Sequence, residues 1–180
     1  MLGNDNTIPL TMDESLHHTK SVVKAATKTH VVADMPFLSY NADPNISLLN
    51  AGRFLKEAGA QSVKLEGGHH ICNTVELLVS TGIPVMGHIG LTPQSINQIG
   101  GYKVQGKSKE QVSRLIDEAL ALENAGAYAI VLELIPAEVS KTITAKLKIP
   151  TIGIGAGIHC DGQIQVMHDI LGLFELFTSK

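Results

Sequence analysis

The sequence predicts an α/β fold with a parallel sheet. Short β-branched or apolar runs alternate with longer amphipathic stretches; glycines close several helical stretches two or three residues before the next run; and the strand bodies are apolar while their last residues are polar. A strand, a helix and another strand in the same sense require a crossover, so repeated βα units lay their strands parallel. Their C-terminal ends then gather on one face, where both barrels and open α/β sheets build their sites.

The first helix falls within TMDESLHHTKSVVKAAT (11–27), where Thr11 and Glu14 have capping-box spacing and each can satisfy a free backbone N–H. THVVA (29–33) reads as a strand buried on both faces, ending at Asp34. NISLLNAGRFLKEAGA (45–60) reads as a helix stopped by Gly59, and SVKLE (62–66) as a strand entering two glycines. HICNTVELLVSTG is a helix stopped by Gly82, IPVMGH (83–88) the next strand, and a long loop follows. SKEQVSRLIDEALALENAG is the most regular helix, with Ser108 and Gln111 at capping-box spacing and Gly126 as its stop. AYAIVLEL (127–134) is a strand, and PAEVSKTITAKLK a helix begun by Pro136, whose missing N–H costs little there. IPTIGIGAG runs from a strand into a glycine turn, and DGQIQVMHDILGLF is expected to add a short helix and a strand near 165–171.

With 14 Lys and Arg against 17 Asp and Glu, the formal charge is −3, which offers no general footprint for nucleic acid or an anionic membrane. Hydrophobic residues at 44% and charged residues at 17% give an ordinary globular composition, far from that of disordered chains. Cys72 and Cys160 lie far apart with no CxxC pair, and nowhere do about 18 apolar residues run uninterrupted. A soluble cytoplasmic protein is the expectation. A chain of 180 residues suits one domain, although a full barrel of βα units usually takes about 250.

The strand ends carry Asp34, Lys64 with Glu66, His88, Glu133, and the turn of Gly153, Gly155 and Gly157. Three carboxylates can therefore converge in one cavity. Two carboxylates with open water positions suit Mg²⁺, a hard ion that keeps much of its hydration, and a third, partly desolvated, can act as a base. Each carboxylate alone could instead cap the following helix or pair with a surface lysine. Lys64 and Glu66 share a strand face by period two, which places a cation for a substrate carboxylate beside an anion for a metal, or else a mutual salt bridge. His88 could bond a ligand or satisfy a loop carbonyl. His69, His70 and Cys72 stand at a helix start without zinc spacing, and His17 and His18 are discounted likewise. IGIGAG misses the dinucleotide fingerprint, because its third glycine would have to stand at Ile158.

ADMPFLSY (33–40), VKLEGG (63–68), GHIGLTPQSINQIGGYKVQG (87–106), LALENAGAYAIVLELIP (120–136), IPTIGIGAG (149–157) and DGQIQVMHDILGLF (161–174) resemble one family, the ketopantoate hydroxymethyltransferases. LTPQS and GGYKVQG are the most specific of these segments. The resemblance implies a (β/α)₈ TIM-type barrel that moves a one-carbon unit from 5,10-methylenetetrahydrofolate to 3-methyl-2-oxobutanoate, giving 2-dehydropantoate for pantothenate synthesis. It implies Mg²⁺ chelated by the 2-oxo acid and stabilising its enolate, and a large homo-oligomer without nucleic-acid or membrane partners. Residue by residue, Asp34 would contact metal and substrate, Lys64 substrate, and Glu66 the metal, while Glu133 would accept the proton and His88 line the pocket. The family carries two further strands and a Gly-Asp-Ser motif ahead of the part matched by MLGNDNTIPLT, and a helical portion beyond FELFTSK. The expected fold is thus an incomplete barrel, one partial domain over 1–180 without the first two strands, with Met1 internal to a longer chain. Alone, such a chain is expected to expose sheet edges, bind Mg²⁺ weakly and be nearly inactive. The alternatives are another Mg²⁺-dependent 2-oxo-acid barrel, of the phosphoenolpyruvate mutase and isocitrate lyase type, or an inactive fragment that retains partial ligand binding.

Overall fold

In the computed structural model, which describes residues 3–173, Thr11 opens helix α1 (Met12–Ala25) with the expected capping box: its hydroxyl accepts from the Glu14 N–H at 3.3 Å and the Glu14 carboxylate accepts from the Thr11 N–H at 2.9 Å. Strand β1 (Val32–Asp34) follows. Helix α2 (Pro44–Arg53) starts one residue earlier than its hydrophobic pattern suggests, because Asp43 caps it through the N–H groups of Asn45 and Ile46, with Pro44 at the first helical position. It passes into one wider π-helical turn (Phe54–Ala58) and leaves through Gly59 at φ 80°.

Strands β2 (Ser62–Glu66) and β3 (Val85–Gly90) flank a 3₁₀ turn at His69–Ile71 and helix α3 (Cys72–Ser80), so the two histidines and Cys72 do sit at a helix start. The expected long loop after β3 is instead partly helical, with a 3₁₀ turn at Pro93–Ser95 and a single helical turn, α4 (Ile96–Ile99), which Gly100 ends at φ 73°. Ser108 and Gln111 form the second capping box on α5 (Lys109–Asn124). Strand β4 (Ala129–Glu133) is followed by α6 (Ala137–Lys146), for which Pro136 is the cap rather than the first helical residue. Strand β5 (Thr151–Ile154) leads to β6 (Gly162–Gln163). The strand expected near 165–171 is absent. That stretch holds the one-turn helix α7 (Met167–Ile170), and the strand forms earlier, where Asp161 anchors it by accepting from both the N–H and the hydroxyl of Thr151 at 2.8 and 3.1 Å. Phe174, the last residue of that predicted stretch, lies outside the described residues.

All described strands are parallel and run in sequence order, β1 to β6. Together they form part of an α/β barrel wall. Its curvature is measurable at the lower rim, where His30, just before β1, reaches the Tyr128 hydroxyl just before β4 at 3.3 Å, with both bonded to Ser62 at 2.8 Å. Such a closure across two intervening strands needs a coiled sheet. Register fixes the two faces. Val63, Leu65, Val85, Ile89, Ile130 and Leu132 turn outward and are at most 1% exposed, packed with Phe54, Leu78, Leu122 and Ile143 into the main apolar core. Asp34, Lys64 and Met86 form one row of the opposite, inner face; Glu66, His88 and Val131 form the next, and Gly90 with Glu133 a third. Among the described residues no helix is long and apolar enough to cross a membrane.

Candidate active site

Four neighbouring strands bring the five titratable strand-end residues into one cluster. Lys64 Nζ lies 2.8 Å from Asp34 Oδ1, 3.6 Å from Glu66 Oε1 and 3.1 Å from His88 Nδ1. His88 in turn places Nδ1 3.7 Å from Glu66 Oε1 and Nε2 3.1 Å from Glu133 Oε2. Nε2 is buried but makes no hydrogen bond of acceptable geometry. Lys64 is thus an ammonium shared by two carboxylates, the nearer being Asp34. The Asp34 side chain is 56% exposed at the rim, whereas that of Glu66 is 4% exposed.

Two supporting residues escaped the sequence reading. The Gln94 backbone N–H donates to Glu66 Oε2 at 2.9 Å, and the Tyr40 hydroxyl accepts from the Glu66 N–H at 3.1 Å while lying 2.9 Å from Gln94 Oε1. The Gln94 amide then donates to the Met35 carbonyl at 2.8 Å, tying the loops after β1 and β3 over the end of β2. Their positions within ADMPFLSY and LTPQS are the sequence signal that could have found them, but neither lies at a strand end.

Burial raises the Glu66 carboxyl to about 7, aided by Asp34 and Glu133 and opposed by Lys64 and the Gln94 N–H. Burial likewise raises Glu133 to about 7, against Lys64. Burial also works against the Lys64 ammonium, but Asp34 and Glu66 outweigh it and hold its pKa above the ordinary value. Burial and the Lys64 charge push His88 well below its usual value, so the ring is neutral. A carboxyl with a raised native pKa binds its proton in the folded state while the unfolded state releases it, so its contribution to stability declines as pH rises from about 4.5 to about 7. His88, depressed, has the opposite slope below its unfolded value, so the clean observable is a difference. In urea unfolding, Glu133→Gln should gain stability relative to the parent as pH rises through that window and gain no more above it; a pH-independent difference would refute the raised Glu133 pKa.

Asp34 and Glu66 offer hard oxygens on either side of the Lys64 ammonium, a donor set whose chemistry suits a hard divalent cation keeping several waters, provided that the ammonium moves aside. Among the described residues no three His, Cys, Asp or Glu side chains are grouped to hold a metal, so this pair would be a two-carboxylate site.

The family model for ketopantoate hydroxymethyltransferase matches residues 1–180. A 3-methyl-2-oxobutanoate hydroxymethyltransferase of Geobacter metallireducens is 60% identical over 178 residues, covering 99% of this chain and 67% of the relative. The enzyme of that name from Carboxydothermus hydrogenoformans is 59% identical over 180 residues, covering 100% of this chain and 65% of the relative. The chain therefore spans about two thirds of the length of these curated relatives. Among solved structures, a putative phosphonomutase from Burkholderia cenocepacia matches with TM-score 0.60 at 14% identity, over 80% of this chain and 62% of that one. N-(5'-phosphoribosyl)anthranilate isomerase from Pyrococcus furiosus matches with TM-score 0.50 at 15% identity, over 77% and 58%. At such identities these structures show the fold alone: an incomplete TIM-type barrel.

Proposed function

Because the chain belongs to the ketopantoate hydroxymethyltransferase family, we propose that it serves hydroxymethyl transfer from 5,10-methylenetetrahydrofolate to 3-methyl-2-oxobutanoate, giving 2-dehydropantoate. The observation that carries this reading is the pairing of a near-neutral carboxyl, Glu133, with the Lys64, Asp34 and Glu66 cluster across a single neutral histidine. Removing a proton from the carbon next to a carbonyl needs a base whose pKa lies near the working pH, and a pKa of about 7 meets that need.

In this reading Glu133 accepts the C3 proton of the oxo acid. Lys64 faces its carboxylate in a largely buried site. The neutral His88 ring, wedged between Glu66 and Glu133, keeps the two carboxylates apart. Asp34 and Glu66 would hold Mg²⁺, which when bound polarises the 2-oxo group as a Lewis acid. The deprotonated C3 carbon then takes the one-carbon unit of the folate: the new C–C bond forms as the unit's bonds to the two folate nitrogens break, water supplies the hydroxyl oxygen, and the two protons of water with the one removed from C3 end on that hydroxyl and on the two nitrogens. The same reading carries a homo-oligomer in the cytoplasm and a place at the first step of pantothenate biosynthesis.

Deprotonation can be tested apart from transfer. The protein with Mg²⁺ and 3-methyl-2-oxobutanoate in D₂O, without folate, is expected to wash the C3 proton out of the NMR spectrum well above the rate with Mg²⁺ alone. Exchange no faster than that control would sink the proposal for this chain and bear out instead the near-inactivity expected of an incomplete barrel.

A further inference from the structure

A cavity of about 290 Å³ opens beside this cluster, between the ends of β2 and β3 and the stretch of α5 from Gln111 to Glu118. It adjoins the reaction residues through backbone: Gly67 follows Glu66 directly, and Gly90, which pairs with Glu133, forms part of its wall. Gly67, Gly68, Gly90 and Gly106 belong to that wall, each where a Cβ would meet a neighbouring protein group. Gly68 is the clearest case, because a Cβ on it would collide with the Glu118 side chain.

Glu118 lays its side chain against the Gly68 backbone and lines the cavity. It projects from α5, is 9% exposed, and among the described residues takes one hydrogen bond, from Arg114 Nε at 3.1 Å. Arg114 itself has a side chain 76% exposed. The second Glu118 oxygen takes no hydrogen bond among the described residues and is not sealed from solvent, so it is open to a donor in the cavity that Glu118 lines. The complement of such a group is a planar edge with two parallel N–H donors, which binds a carboxylate in bidentate fashion. The 2-amino and N3–H edge of a pterin has that form.

Resting on the transfer reading above, we propose that this cavity holds the pterin ring of the one-carbon donor, with the Glu118 carboxylate accepting from its 2-amino and N3–H groups. The volume agrees. At the lower end of the range for small-molecule sites, about 300 Å³, it takes a bicyclic ring and leaves the glutamate tail in solvent. The ring's position beyond Gly90 puts the donor on the Glu133 side of the cluster.

The test titrates the full chain calorimetrically with 5-formyltetrahydrofolate and, separately, with 3-methyl-2-oxobutanoate plus Mg²⁺. Glu118→Gln, which turns one acceptor into a donor, is expected to weaken folate binding at least tenfold and to move oxo-acid affinity less than twofold. Gln98→Trp, at the exposed rim of the same cavity, is expected to do the same by filling its mouth. Folate bound within twofold of the parent by both variants would overturn the proposal. Hydrogen exchange on the parent gives a readout independent of either substitution: slowed exchange at 67–70 and 114–118 on adding 5-formyltetrahydrofolate supports it, and protection confined elsewhere, or no binding, overturns it. A parent that protects those segments but exchanges no C3 proton would keep the cavity and lose the transfer reading. One that transfers with protection elsewhere would do the reverse.

Discussion

Glu133→Gln is expected to slow C3 proton exchange from 3-methyl-2-oxobutanoate by about 10²–10⁴-fold, the range over which a positioned general base contributes. Glutamine keeps the volume of the side chain beside His88, so the fold and the Lys64 cluster should survive. What it loses is the oxygen that takes the proton. Oxo-acid affinity should therefore change far less than the rate, since Lys64, Asp34 and Glu66 remain. The parent rate should fall as pH drops through about 7, because the base must be ionised to act and its carboxyl titrates there. In the variant the contribution of Glu133 to that fall disappears. An exchange rate within tenfold of the parent would remove Glu133 from the role of base and leave the proton to another group.

Gly90→Ala should be the most damaging single-methyl change at the site. Gly90 stands at φ 94°, and a Cβ there falls on the backbone carbonyl oxygen of Glu133, with the Ile135 side chain 2.9 Å away. That carbonyl already accepts from the Leu91 N–H at 2.8 Å, so it cannot swing aside without breaking the link between the β3 end and β4. Backbone strain alone costs about 1–3 kcal/mol, and the collision adds to it, giving an expected loss of about 3 kcal/mol or more in urea unfolding. Gly82→Ala separates the two contributions. Gly82 has φ 88° but nothing within 4 Å of its Cβ position, so it carries the strain without the collision. If the two variants lie within about 1 kcal/mol of each other, the close approach of β3 to the Glu133 carbonyl is not what demands glycine at 90. Exchange activity should fall in Gly90→Ala alone, since only there is the strand that carries Glu133 displaced.

Local interactions made much of the molecule readable from its residue order. Thr11 with Glu14, and Ser108 with Gln111, close their capping boxes within three residues, and no distant packing is needed to predict them. The alternation of apolar runs and glycine-stopped helices required parallel strands, and parallel strands placed Asp34, Lys64, Glu66, His88 and Glu133 at one end. Strand β6 was misplaced for the complementary reason. A two-residue strand has no periodicity of its own and exists through its pairing with β5 and the hold of Asp161 on Thr151.

The chemistry of the cluster depended on contacts across long stretches of chain. Tyr40 and Gln94 reach Glu66 from 26 and 28 residues away, and although both lie in distinctive segments, neither stands at a strand end where the period-two pattern would select it. Which carboxylate Lys64 favours, and the burial that makes His88 neutral and lifts Glu66 and Glu133 to about 7, follow from how far the sheet curls and what covers its upper rim. Residue type and period two select the groups that can share a face. Distance and desolvation, which set their charge states, exist once the strands have packed.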